Sequence, residues 1–132
     1  MKTLASVFNE AISATEKLYT ITKTFSVIAR TDNNELDEIE EGDVWTKSFS
    51  SLEEIAKFLS KELKADNVDW TSPGNIAANH DNASAKWERK YKNKFKELNE
   101  NELYEIKRNG KVINKKESIE IDKTLKLGAH NL

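Results

Sequence analysis

The sequence predicts an α+β fold, an antiparallel sheet with about three helices packed mainly on one face, formed by a single domain over residues 1–132. Three observations predict it. A two-residue alternation follows Leu18, a helical stripe with a capping signal follows Ser50, and an Asn-Gly turn at 109–110 joins two strand-like runs. The expected order is α-β-β-α-(loop)-α-β-β(-β).

The elements follow in chain order. Leu4, Val7, Phe8, Ala11 and Ile12 recur at helical spacing, so an amphipathic helix is expected over the first fifteen or so residues. From Leu18, Tyr19, Ile21, Phe25, Val27 and Ala29 alternate with Thr20, Thr22, Thr24 and Ser26, as in a strand with one buried face. Lys23 interrupts the apolar row, which suggests a position near a sheet edge. Residues 32–43 read as a polar acidic connection, and 44–49 as a second strand antiparallel to the first. Ser50-Ser51-Leu52-Glu53-Glu54 offers a capping box in either of two registers. Leu52, Ile55, Ala56, Leu59 and Leu63 form one stripe behind it, and Glu53 and Lys57 pair across a turn, so a helix is expected to about Lys64.

Residues 65–82 read as a long loop, with Ser72-Pro73 able to open a short helical turn. Asn82 then caps a third helix over 83–98. Trp87, Tyr91, Phe95 and Leu98 lie on one side of it, and Lys86, Arg89, Lys90, Lys92 and Lys96 on the other. A hairpin over 103–113 turns at Asn109-Gly110, where both residues accept positive φ; a helix over 101–109 capped by Gly110 is the competing reading. Residues 118–121 add a short strand, and 125–132 form an apolar tail with a glycine break.

Composition removes several function classes. There is no cysteine, so disulfides, thiolate metal sites and cysteine nucleophiles are excluded. The two histidines, His80 and His130, stand fifty residues apart, too few for a zinc site. Counted from Asp32, an EF-hand pattern places Leu36, Asp37 and Asp43 in slots that need Asp or Asn, Gly and Glu. Four scattered glycines write no phosphate-binding loop, and no serine or threonine has a histidine nearby in sequence. No metal, cofactor or catalytic residue is therefore assigned, and the chain is not expected to be an enzyme. His80-Asp81 is the one adjacent pair resembling a base and its orienter, and it carries the least favoured reading, a small enzyme. The N-terminus has no signal-peptide core and no run approaches a membrane span, so a cytoplasmic protein without membrane contact is expected.

What remains is binding. Asp32, Glu35, Asp37, Glu38, Glu40, Glu41 and Asp43 place seven acids in twelve residues. A run of this kind is either a solvated turn or a charged surface for a partner, such as one with a basic groove. The favoured function is a non-catalytic, macromolecule-binding protein, a small protein–protein interaction module or inhibitor. A phage or mobile-element inhibitor that blocks a nucleic-acid-processing complex, as anti-CRISPR proteins do, is one version. Its expected contact residues are Asp37, Glu38, Glu40 and Glu41, with Trp70 and His80 from the long loop. The alternative is nucleic-acid binding through Arg89, Lys92 and Lys96 on the third helix, with Arg108 and Lys111 at the hairpin. A net charge of −2 opposes that alternative.

Overall fold

A computed structural model describes residues 18–132. The helix expected over the first fifteen residues lies outside them. The described chain is a six-stranded antiparallel sheet with three helices. In order these are β1 (Tyr19–Arg30), β2 (Leu36–Phe49), α1 (Leu52–Glu62), β3 (Asn67–Ser72), β4 (Asn75–His80), α2 (Ala85–Lys90), β5 (Glu97–Arg108), β6 (Lys111–Val112) and α3 (Lys115–Leu125). The sheet runs β2-β1-β5-β4-β3, with β6 paired to the end of β5.

Side chains directly opposite in antiparallel strands share a face, so the register assigns both faces. One carries Ile21, Phe25, Val27 and Ala29 of β1 with Leu98, Tyr104 and Ile106 of β5 and Ile76 and Ala78 of β4. All three helices pack there. Ile55 and Leu59 of α1 and Ile121 of α3 join Ile21, Ile76, Tyr104 and Ile106 in the main core. Trp87 of α2 covers Val27, Ala29 and Leu98 in a second cluster at the far end. The opposite face carries Thr20, Thr22, Thr24 and Ser26 with Asn99, Asn101 and Leu103.

Local signals account for several elements. Ser51 caps α1 by accepting from the Glu54 amide at 3.1 Å, while Glu54 Oε2 accepts from the Ser50 amide rather than from that of Ser51. Glu53 and Lys57 pair at 3.3 Å. Asn109 (φ 49°) and Gly110 (φ 80°) turn the β5–β6 hairpin as expected.

Elsewhere the structure corrects the sequence reading. Lys23 lies one strand in from the edge, since β1 pairs with β2 on one side and β5 on the other, and the lysine is tolerated inside because two carboxylates hold it. The acidic stretch is not a loop. After a short turn β2 begins at Leu36 and runs fourteen residues, since alternation sends most of its acids outward along β1. Residues 65–82 are not a loop either, but the β3–β4 hairpin, turned at Pro73-Gly74 instead of starting a helix. The third helix stops at Lys90, and Leu98, the last member of its expected stripe, belongs to β5. β5 begins at Glu97 despite a weak local strand signal, because β1 pairs with it from there onward and β4 joins on its other side from Glu100. Residues 118–121 are helical, not a strand. Asn114 accepts from the Glu117 amide at 2.8 Å and Glu117 returns the contact, a complete capping box for α3.

Candidate functional site

Two charged arrangements emerge, one on each face of the sheet. The first lines the face that none of the described helices covers. On β2, Glu38, Glu41 and Asp43 lie opposite Ile28, Ser26 and Thr24, so all three carboxylates stand on that open face. They rim a concavity of about 620 Å³ whose floor includes Thr24, Ser26, Ala77, Asn79, Asn101 and Leu103. None of the three has an ion-pair partner among the described residues. The cations of the same face are already engaged: Arg30 pairs with Glu97 at 3.2 Å, and Lys107 with Glu105 at 3.2 Å. The uncompensated charge beside the hollow is therefore negative.

Two β-bulges produce this row. The β1–β2 register slips at Val44 and again at Ile39, so two β2 residues oppose one position of β1 at each point. Each slip reverses which face the following residues take. The Val44 bulge lets Trp45 face the core while Asp43 faces outward. The Ile39 bulge returns Glu38 to the open face and leaves Ile39 packed against the second cluster.

The second arrangement lies on the covered face, at the seam between the two apolar clusters. Lys23 Nζ donates to Glu62 Oε1 at 2.9 Å and pairs with Glu102 Oε2 at 2.8 Å. His80 Nε2 meets Glu102 Oε1 at 2.8 Å. Burial acts to raise the Glu102 carboxyl, but the Lys23 and His80 contacts outweigh it and hold it below the usual range. Burial likewise opposes the charge on Lys23, and its two carboxylates more than compensate, raising it. The Tyr104 hydroxyl is buried beside Lys23 at the edge of this cluster, and burial pushes it up to about 12. No group of three or more metal-ligating side chains occurs among the described residues.

The expected contact residues divide between these places. Glu38 and Glu41 reach the open face together. Glu40 and Asp37 oppose Val27 and Ala29 and so take the other side. Glu40 is engaged by Lys90 and by the Tyr91 hydroxyl, which hold its carboxyl below the usual range and fasten α2 to β2. Trp70 is buried, 8% exposed, with its indole bonded to Asp122, and offers no surface anchor. His80 is half-buried against Glu102, on the side away from the acidic row. Sequence reasoning did not select Asp43, Asn79, Asn101 or Leu103. Asp43 was present in the acidic run, and the alternating threonines announced an open face, but β4 and the first half of β5, which supply Ala77, Asn79 and Asn101 to its floor, were not recognised.

The basic residues do not form one surface. Arg89 and Lys92 lie in and just after α2, and Lys96 immediately precedes β5 and reaches Asn34. Arg108 ends the same strand, beside Glu117 and the exposed Lys111. The twelve residues from Lys96 to Arg108 put the two groups on the order of 40 Å apart.

Comparison with known families, curated proteins and solved structures gives no match for this chain. Among the described residues, no helix is long and apolar enough to cross a membrane.

Proposed function

We propose that this chain is a non-catalytic protein-binding module in which the sheet face that none of the described helices covers receives a basic segment of another protein. One observation carries the reading. Glu38, Glu41 and Asp43 stand in a single row, without cationic partners among the described residues, along a hollow floored by hydroxyl, amide and small apolar side chains. Unpaired like charges held in a row oppose folding, so a cationic partner that relieves them gains affinity from the same arrangement.

The shape also bears on the partner. A protruding acidic loop would suit a basic groove, whereas acids at the rim of a hollow suit a basic segment that projects into it. Leu103, 40% exposed at the floor, gives the aliphatic stem of a lysine or arginine an apolar surface to lie on. Nucleic-acid binding has weaker support, because its basic residues occupy opposite ends of β5.

The test is titration of the protein with a fluorescently labelled lysine- and arginine-rich peptide and with an acidic peptide of equal length. The basic peptide is expected to bind with salt-sensitive affinity, and the acidic one not to bind. The Glu38→Lys, Glu41→Lys, Asp43→Lys triple variant should lose binding while retaining its melting temperature. Retained binding by a folded triple variant rejects the reading.

A further inference from the structure

The register of β2 gives the acidic row a definite period. Glu38, Glu41 and Asp43 oppose Ile28, Ser26 and Thr24, which are alternate residues of one uninterrupted strand. Although Glu41 stands three positions after Glu38 and Asp43 only two after Glu41, the Ile39 bulge makes both steps equal on the sheet. Each step is two strand residues, about 6.7 Å, and the row spans roughly 13 Å.

An extended peptide has the same repeat: side chains at i, i+2 and i+4 project on one side about 6.7 Å apart. A helix presenting residues i, i+4 and i+7 covers only about 10.5 Å. Backbone chemistry separates the two more sharply. A helix satisfies its own amides and carbonyls, whereas an extended segment brings unpaired ones. The hollow supplies partners for them: Asn79 and Asn101 offer carboxamides that donate and accept, and Thr24 and Ser26 offer hydroxyls.

We propose that the open face binds an extended segment of a partner protein in which lysine or arginine recurs at every second residue. Each cation then meets one of Glu38, Glu41 and Asp43, and the backbone lies over the amide and hydroxyl floor. This inference rests on the protein-binding reading above and adds the conformation and spacing of the partner.

The experiment compares two labelled peptides of identical composition by fluorescence anisotropy at low salt. In one, lysine alternates with serine; in the other, the lysines are contiguous. The alternating peptide is expected to bind about tenfold more tightly, the worth of two further exposed ion pairs. Glu41→Gln should remove most of that preference, whereas Glu53→Gln on α1, remote from the row, should leave it unchanged. Equal affinity for the two peptides overturns the proposed spacing while leaving the protein-binding reading in place. Absence of binding by either peptide overturns both. Preference for the contiguous peptide also rejects the extended register.

Discussion

The indole N–H of Trp70 donates to Asp122 Oδ1 at 2.8 Å, joining β3 to the end of α3 across 52 residues of sequence. The same carboxylate accepts from the backbone amides of Leu127 (2.7 Å), Gly128 (2.9 Å) and Ala129 (2.9 Å). Asp122 therefore closes the C-terminal segment onto the sheet as well as holding the indole. Burial works to raise its carboxyl, yet Trp70 and the three amides prevail and keep it below the usual range.

Replacing Asp122 by Asn removes the charge from four donors, and we expect it to lower stability by roughly 2–4 kcal/mol. The pH dependence has a definite sign. A carboxyl depressed in the folded state stabilises fully above its unfolded value, near 3.8. That contribution is lost as pH falls below this value and through the folded one. Thermal unfolding of both proteins from pH 7 to pH 2 should show a gap that is constant near neutrality and closes below about pH 4. A gap independent of pH would mean that the charge of Asp122 contributes nothing.

Gly74 occupies the β3–β4 turn at φ 77°, donates its amide to the buried Ser118 hydroxyl at 2.9 Å, and accepts from the Ile106 amide at 2.7 Å. A Cβ at this position would stand 2.5 Å from Val112 Cγ1 and 3.1 Å from the Ile106 carbonyl oxygen. Gly74→Ala combines positive-φ strain with a clash against β6, and a loss of about 2–3 kcal/mol is expected in denaturant unfolding. Gly110→Ala is the control. It has comparable φ but nothing within 4 Å, so it should cost about 1 kcal/mol from backbone strain alone.

These two contacts also show where the sequence was silent. β1, α1 and the Asn109-Gly110 turn were legible because their signals are local: alternation, a capped stripe and a positive-φ dipeptide. β3, β4 and the first half of β5 were not, because their strands are specified by neighbours distant in sequence. Trp87, Tyr91, Phe95 and Leu98 keep helical spacing, yet the chain leaves the helix at Tyr91 and Leu98 completes the second cluster from a strand. The acids of the candidate site were visible, but the bulges that send Glu38 and Glu41 to one face and Glu40 to the other depend on pairing with β1. Trp70 looked available only because Asp122 lies so far along the chain.

Lys23 gives a second test of the interior. Its side chain is 12% exposed, and that of Glu102 is 14%. Lys23→Met leaves two carboxylates without their shared cation and should destabilise by about 3 kcal/mol, the range for breaking a mostly buried pair from one side. Adding Glu102→Gln should recover part of that loss, because the uncompensated buried charge is then removed. The sign of the pH effect is opposite to that of Asp122. The lysine is raised on folding, so its contribution is fully present below its unfolded value of 10.5 and declines as pH rises through the folded one. A double variant no more stable than Lys23→Met alone would contradict this account.

The acidic row should reveal itself in stability even without a partner. Neighbouring carboxylates about 6.7 Å apart repel by roughly 0.6 kcal/mol in water before salt screening. The described structure offers Glu38, Glu41 and Asp43 no counter-charge, and Glu40, which has one in Lys90, is the natural contrast. Neutralising the row with Glu38→Gln, Glu41→Gln and Asp43→Asn should therefore raise the melting temperature at low ionic strength, with the gain shrinking as salt is added. Glu40→Gln should instead lower it, because the residue fastens α2. A fold stabilised by removing these three acids, while losing affinity for basic peptides, would mark the row as kept for binding at a cost in stability.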